Sequence, residues 1–599
     1  MFPLFTPSRL LAVGLLVTAA GSVAAQGPVI LWTNPRANAL TAFRTTGPYI
    51  NFNQALLPGV TDGLQVFSQQ HGGRRTHRTP AVQGGHSLRF TPADRPYLPG
   101  ETLQYSLTTA VANATGPLPA GRIGQFTTAV GGTGRGTAWA ASELAAGFAP
   151  RSLTVGDVDG DGDLDLLTTT GVVNVSLNGG DNSGSNTARF SNGQTVVVGS
   201  SPSAVLLADI DNDGDLDLLT ANATTNGTVS VRLNGGNASG SGTGIFSGTQ
   251  EVLVGAMPSD LAVGDVDGDG DLDLVTPHYV SNTVSVRLNG APNLPNTVGS
   301  FGGGRQVAVD AGPERVALAD VDSDGDLDLL TSNTVSNTLS VRLNGGDASG
   351  SNDAQFTNGY DLPLTGQVTG FTVGDVNADS HLDLVVLNAA RDASTATVYL
   401  NAGALASPTA HFARGQVLPL ANGPSAVQLG DLDADGDLDL VTTHGDGPSG
   451  SVAVHLNGGN PTGSSPYTFV NGPTLATGSG PYDLALADMD GDDDLDLLTA
   501  NYAGTTASLR LNGGTVLATT PRQLPDFALA PNPSSGATPV RTTGLAGAAP
   551  VTVLDALGRP VLHTTADAAG TATLRLPAGL APGLYLVRSG GRSQRLLVE

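Results

Sequence analysis

The sequence predicts an all-β protein in which seven four-stranded blades close into a ring between two smaller β-sandwiches. Three observations lead there. A nine-residue acidic run occurs seven times, beginning at Asp157, Asp209, Asp265, Asp320, Asp375, Asp431 and Asp488, so the repeat is 52 to 57 residues long. Each copy carries short stretches in which apolar and polar residues alternate, as Val284, Val286 and Leu288 do with Ser285 and Arg287, the mark of a strand with one buried face. Glycine (81) and proline (37) make up about a fifth of the 599 residues, which suits many short strands joined by turns.

Within a copy the elements follow a set order. An apolar lead-in such as Leu261-Ala-Val-Gly264 precedes the acidic loop, and a run such as Leu272-Asp-Leu-Val-Thr276 leaves it. Then come Val284-Ser-Val-Arg-Leu-Asn-Gly290 or its equivalent, a Gly/Ser/Asn loop, and a phenylalanine (Phe190, Phe246, Phe301, Phe356, Phe412 or Phe469) that opens a short Val-rich run. That is four strands. A unit this small cannot bury both faces alone, so the copies must stack, either as a linear β-solenoid or as a closed β-propeller. The ends of the array favour closure. The seventh copy stops near Gly514 without room for a fourth strand, whereas Thr137 to Pro150, ahead of the first copy, lines up with the fourth-strand segment found elsewhere. An N-terminal strand that completes the last blade closes a ring, and an open solenoid has no use for it.

The acidic loops carry the chemistry. In the first, Asp157, Asp159, Asp161 and Asp165 stand at positions 1, 3, 5 and 9, with Gly162 at 6 and Asp163 offering its backbone carbonyl at 7. The same places are held by Asp209, Asp211, Asp213, Asp215 and Asp217; by Asp265, Asp267, Asp269, Asp271 and Asp273; and by Asp320, Asp322, Asp324, Asp326 and Asp328. The later copies supply Asp375, Asn377, Asp379, His381 and Asp383; Asp431, Asp433, Asp435, Asp437 and Asp439; and Asp488, Asp490, Asp492, Asp494 and Asp496. Oxygen ligands at alternate residues around a glycine bend match the first nine positions of an EF-hand loop. A set of hard oxygens without sulfur suits Ca2+ over zinc or copper. Thirty-four of the 53 acidic residues lie in these loops, and seven Ca2+ ions would bring the formal charge from -26 to -12. Two loops depart from the pattern: the fifth loses a carboxylate and the glycine, and the seventh has Asp493 where the glycine belongs. Weaker or altered binding is expected at both.

These repeats resemble the FG-GAP or VCBS family and are similar to the β-propeller of integrin α subunits. The resemblance covers residues 137 to about 514. It implies a seven-bladed β-propeller whose Asp-x-Asp-x-Asp-Gly-x-x-Asp loops bind structural calcium between the first two strands of each blade, and it implies adhesion or ligand binding outside the cell. Some related propellers carry polysaccharide lyase or hydrolase sites, so a secreted polysaccharide-degrading enzyme is the rival reading.

The flanks have other characters. Arg9, the apolar stretch Leu10 to Ala20 and Val23-Ala24-Ala25 read as an export signal over residues 1–25, removed before Gln26. Residues 27–128 carry short alternating runs such as Tyr49-Ile-Asn-Phe52 and Leu103-Gln-Tyr-Ser-Leu107. Leu88-Arg-Phe-Thr-Pro92 through Phe126 resembles a bacterial Ig-like domain, which implies a spacer or display module. Arg74, Arg75, His77 and Arg78 form a basic cluster there, read as a solvated loop, with contact to an acidic glycan as the alternative. After a linker at 515–525, residues 526–599 set Arg541, Arg559, Arg575, Arg588, Arg592 and Arg595 against only three aspartates. The Pro531-Asn-Pro533 opening, Gly583-Leu-Tyr585 and the basic last strand resemble the type A C-terminal sorting domain of the type IX secretion pathway. This implies passage through the outer membrane by that machinery, with a secreted or cell-surface location.

Composition excludes much. The 27 basic residues are all arginine, so there is no P-loop or Schiff-base lysine; without cysteine there is no thiol catalysis, disulfide or Cys-ligated zinc. The net charge of -26 repels nucleic acid. No Gly-x-Ser-x-Gly elbow or His-Glu-x-x-His motif occurs, and five Glu leave little for a glycosidase pair. No catalytic residue is assigned. On the propeller face opposite the acidic loops, His278, Tyr279, Arg315, Arg391, His444, Tyr482 and Tyr502 are the candidates to touch an extracellular glycan or protein.

Overall fold

The computed structural model describes residues 27–599 except 46, 69–72, 75–79, 93–96, 120, 131–135, 138, 180–187, 189, 236–243, 291–298, 346–353, 391–392, 403–411, 446–448, 459–466, 514–527, 531–538, 544–549, 555–558, 569–570, 578–579, 581–582, 590–591 and 599. The expected export signal and Arg391 therefore lie outside the described residues, as do the side chains of the basic cluster at 74–78. The chain divides into two units, 1–515 and 516–599. Among the described residues there is no α-helix, only a 3-10 turn at Val60–Gly63.

Seven four-stranded antiparallel sheets fill most of the first unit. Sheet 1 runs Leu153–Gly156, Asp165–Thr169, Val173–Asn178 and Phe190–Val196, and sheets 2 to 6 repeat this meander over 202–253, 262–308, 313–363, 367–419 and 424–476. Sheet 7 takes three strands from its own repeat, Pro481–Ala487, Asp496–Asn501 and Thr506–Asn512. Its fourth is Trp139–Ala145, which pairs with Thr506–Asn512 so that Trp139 faces Asn512 and Ala145 faces Thr506. This early strand takes the fourth-strand role in detail. Arg510 Nη2 lies 2.8 Å or less from the acid on its outer neighbour, Glu143 Oε1 at 2.7 Å, just as Arg232 Nη2 meets Glu251 Oε1 at 2.8 Å in sheet 2.

The array closes on itself. Leu153, Val155 and Leu166 of sheet 1 share a core with Ala487, Leu498 and Leu509 of sheet 7, and the first strands of all seven sheets line one central cavity of about 580 Å³. Second strands are pressed between neighbouring sheets, so Asp217–Asn222 is buried at every position, while the outer strand Phe246–Leu253 is largely exposed. Alternation is visible only in the outer strands for this reason.

A latch runs from each sheet to the one before it. The asparagine that ends the third strand donates from Nδ2 to a backbone carbonyl in the preceding acidic loop: Asn234 to Val158, Asn289 to Ile210, Asn344 to Val266, Asn401 to Val321, Asn457 to Val376 and Asn512 to Leu432, all at 2.7–2.9 Å. Asn178 closes the circle on Met489 at 2.9 Å. Each bond is buried, where a lost partner costs more than the bond itself contributes.

Residues 27–128 form two main sheets beside a short two-stranded one, Ala112–Asn113 with Gly116–Pro117. Ile30–Asn34, Tyr49–Phe52, Ser87–Arg89 and Ala81–Gln83 make one; Ala39–Ala42, Arg122–Thr128, Thr102–Leu107, Leu64–Ser68 and Gly73–Arg74 make the other. Ile50, Phe52, Leu88, Tyr97, Leu103 and Phe126 pack in the core between them. The second sheet lies against the ring at the end that carries the acidic loops. Phe67 packs with Ala208 and Leu272, and Ile123 with Val266 and Leu327. Phe67, Thr102 and Gln125 of this domain bound the central cavity at that end.

The second unit is a three-stranded and a four-stranded sheet around Val540, Val553, Leu574, Val587 and Leu596, with the last strand, Arg592–Val598, paired to Gly583–Ser589. No helix among the described residues is long and apolar enough to cross a membrane.

Candidate metal centres

Every acidic loop joins the first strand of a sheet to the second, so all seven lie on one face of the ring. The chain folds back on its own first carboxylate. The backbone N–H at position 6 donates to the position-1 aspartate in all seven copies, from Gly162 to Asp157 Oδ2 at 2.9 Å through Asp493 to Asp488 Oδ2 at 3.0 Å. That inward turn needs positive φ. Gly162, Gly214, Gly270, Gly325 and Gly436 supply it at 94–99°, and the two departures, Ser380 and Asp493, hold φ of 73° and 75°.

Position 9 behaves differently from what the spacing implied. Asp165 accepts Val158 N–H at Oδ2 (2.9 Å) and Asn178 N–H at Oδ1 (2.8 Å), and Asp217, Asp273, Asp328, Asp383, Asp439 and Asp496 repeat the pair. This aspartate is a clamp between the loop and the third strand. It nonetheless stays in reach of the others. Asp157, Asp159 and Asp165 each offer an oxygen within 4.8 Å of one another, as do Asp209, Asp211 and Asp217; Asp320, Asp322 and Asp328; and Asp431, Asp433 and Asp439. In the third loop the grouped residues are Asp265, Asp267 and Asp269. The position-7 carboxylates, Asp163 and its equivalents, are not members of these triads; their N–H groups donate instead to position 5, as Asp163 does to Asp161 Oδ1 at 2.9 Å. In the fifth loop Asn377 Nδ2 donates to Asp379 Oδ2 at 3.0 Å and His381 Nδ1 lies 3.1 Å from Asp379 Oδ1, so the two non-carboxylate members turn to Asp379.

The residues present fit a hard cation. Asp433 Oδ1 and Asp490 Oδ1 are buried and accept no hydrogen bond. Burial, with repulsion from neighbouring carboxylates added, pushes Asp157 up to about 7, Asp209 up to about 8 and Asp320 up to about 7. A divalent ion among these grouped carboxylates relieves both costs at once.

Five of these loops touch the N-terminal domain. Arg44 Nη1 meets Asp493 Oδ1 of the seventh loop at 2.5 Å. Asn38 Nδ2 donates to the Ser380 carbonyl of the fifth at 3.1 Å, and Ile123 N–H to the Gly325 carbonyl of the fourth at 2.7 Å, where Arg122 also bonds the Asp324 carbonyl. Gln65 abuts Gly270 of the third, and Thr41 abuts Gly436 of the sixth.

On the opposite face two expectations fail. His278 (0% exposed) and His444 (4%) end second strands and point inward. His278 Nε2 lies 2.7 Å from Ser285 Oγ and His444 Nε2 2.9 Å from Thr442 Oγ1, and burial pushes both imidazoles down to about 4. The second strand runs two residues past the Leu-Asp-Leu-Val-Thr run, which carries each ring into the sheet. Tyr279 and Tyr502 are exposed, whereas Arg315 and Tyr482 are half-buried at the channel mouth.

Residues 209–276, 320–386, 375–442 and 431–499 match the FG-GAP-like repeat. The ring carries FG-GAP-like repeats. No curated protein matches the chain. Among solved structures, BBS1N in complex with ARL6DN is similar at 12% identity and a TM-score of 0.40, over 64% of this chain and 98% of that one. An Agrocybe aegerita lectin that recognises non-reducing terminal N-acetylglucosamine is similar at 18% identity and a TM-score of 0.35, over 69% and 93%. The exotype rhamnogalacturonan lyase YesX is similar at 12% identity and a TM-score of 0.33, over 80% and 91%. The FG-GAP-like loops of the matched stretches include the triads at Asp209, Asp320 and Asp431.

Proposed function

We propose that this protein is an exported, seven-bladed FG-GAP β-propeller that binds up to seven structural Ca2+ ions and serves outside the cell as a ligand-binding, adhesion or display module without catalytic activity. The observation that carries the reading is the grouping of three carboxylates within 4.8 Å in loop after loop on one face of a closed ring. Positions 1, 3, 5 and 9 and the position-7 carbonyl would hold each ion, and its role is to neutralise and brace the loop. At tenfold excess over the ~1 mM affinity of extracellular modules each site would add about 1.4 kcal/mol, so seven would add on the order of 10 kcal/mol. That matches the stability of a whole domain. A cysteine-free chain gains from ions what disulfides supply elsewhere.

In this reading residues 1–25 direct export, the two sheets at 27–128 are an Ig-like domain, and 526–599 is a type IX sorting domain that delivers the protein to the cell surface or the medium. The commitment of 34 of 53 acids to the loops supports binding over acid–base chemistry. Scanning calorimetry in millimolar Ca2+ and in excess EGTA tests the calcium role. A melting point lower by about 10 °C or more in EGTA is expected; identical profiles would refute it. Incubation with polysaccharides separates binder from enzyme, since release of product by the pure protein would overturn the non-catalytic reading.

A further inference from the structure

Strand direction puts two sets of residues on the face away from the acidic loops: those that open first strands and those that follow second strands. Four of them meet over the central channel. Arg151 and Arg315 enter sheets 1 and 4, Tyr482 opens sheet 7, and Tyr502 follows its second strand. Sheets 4 and 7 stand across the ring from each other, so Arg315 reaches over the channel to place its guanidinium carbon 5.7 Å from the Tyr482 ring centre; Arg151 sits 5.5 Å from the same ring. The Tyr482 and Tyr502 rings are 5.8 Å apart and tilted by 45°.

The polar groups here divide into occupied acceptors and idle donors. Asp483 is tied down, accepting Ser152 Oγ–H at 2.8 Å and the N–H groups of Leu153 and Leu484 at 3.1 and 3.0 Å. Asp260 spends Oδ2 on Val316 N–H at 3.1 Å. Neither the Arg151 nor the Arg315 guanidinium makes a hydrogen bond or an ion pair among the described residues. Their donors are open, and the Asp260 carboxylate, which also accepts the Leu261 N–H, lies close enough to Arg315 to raise it and offers lone pairs beside it. Burial alone would lower the Arg315 guanidinium, but the charges of Asp260 and Asp483 hold it above its ordinary range, so it stays a cation. Loops on the same face carry exposed apolar and aromatic side chains, among them Phe148 (83% exposed), Tyr279, Val335 and Tyr502 (50%).

We propose that this mouth binds a neutral saccharide, with a pyranose ring laid on Tyr482 and Tyr502 and its hydroxyls bonded by Arg151, Arg315 and Asp260. A sugar ring has an apolar C–H face for the aromatic rings and hydroxyls that both give and accept, which matches donors and an acceptor set side by side. A polyanion is disfavoured. Glu314, Asp260 and Asp483 outnumber the two arginines, and the chain as a whole carries -26. The assignment rests on the ligand-binding reading above and names its ligand class.

The test uses the full chain in millimolar Ca2+, titrated calorimetrically with cellohexaose, mannohexaose and xylohexaose, and in parallel with polygalacturonate and an acidic peptide. At least one neutral oligosaccharide is expected to bind, with affinity insensitive to salt. Tyr482→Ala and Tyr502→Ala are each expected to weaken it about tenfold. Tyr502 is half exposed, so its variant keeps the fold, and an unchanged melting point checks this for both. Arg315→Met should weaken binding similarly. Failure of all three neutral sugars with a folded, Ca2+-stabilised protein overturns the proposal while leaving the calcium reading standing. Binding of polygalacturonate or the acidic peptide alone overturns it too, as does sugar binding that survives both tyrosine changes.

Discussion

Arg44 of the N-terminal domain and Asp493 of the seventh acidic loop form an ion pair at 2.5 Å, and Asp493 occupies the one loop position where five other copies have glycine. The departure from the repeat is thus an interdomain contact. The fifth loop departs at the same position, and there the Ser380 carbonyl accepts from Asn38. Both loops that give up glycine accept the strain of positive φ where the neighbouring domain bonds them.

A double-mutant cycle on Arg44→Ala and Asp493→Ala should show a coupling of about 0.5–1 kcal/mol by calorimetry, because both side chains are partly exposed. Asp493→Gly loses the same pair but relieves roughly 1 kcal/mol of left-handed strain, so it should be nearly neutral. A large loss with Asp493→Gly would contradict this account.

Positions 3 and 9 should separate in mutagenesis. Asp217 accepts two buried backbone N–H groups and also belongs to the carboxylate triad, so Asp217→Asn should cost about 2–3 kcal/mol even in EGTA and more in Ca2+. Asp211 accepts the Asp213 N–H at 3.3 Å, which an amide oxygen also accepts. Asp211→Asn should therefore lower the melting point in Ca2+ and leave it unchanged in EGTA.

The latch asparagines predict a repeated effect. Asn289→Ala removes the donor to the Ile210 carbonyl and leaves that buried acceptor empty, at a cost of about 1–3 kcal/mol in urea unfolding. Asn178→Ala, at the closing contact between sheets 1 and 7, should cost the same. A much smaller loss at Asn178 would show that the ring does not close through this bond.

Without metal, stability should fall as pH rises. Asp157 at about 7 and Asp209 and Asp217 at about 8 are raised by burial above their unfolded values, so the folded chain binds more protons than the unfolded one between roughly pH 4 and 8. Their contribution is fully present below the unfolded value and is lost as pH climbs through 7 to 8. In EGTA the melting point at pH 5 should exceed that at pH 8; Ca2+, which needs the ionised form, should remove or reverse the trend.

Much of the fold was legible along the chain. The alternation at Val284, Val286 and Leu288 and the recurrence of the acidic run mark four-stranded repeats, since both patterns are complete within a few residues. The Leu-Asn-Gly asparagines resemble turn residues along the chain, and their presence in every copy is the signal of a shared role; their acceptors lie 76 to 81 residues away along the chain within the array. His278 and His444 lie in strands and not in loops, and a strand that is buried on both faces shows no alternation by which to find its last residue.

Side-chain order over ten residues or fewer is enough to set each strand and the spacing of the carboxylates in each of the seven acidic runs. Tertiary structure decided which acids clamp backbone and which group for a cation, that the N-terminal domain covers the acidic end of the channel, and that Arg151, Arg315, Tyr482 and Tyr502 gather at the other. Those outcomes depend on partners brought together from sheets hundreds of residues apart, as Arg44 and Asp493 are, and no local pattern encodes such a meeting.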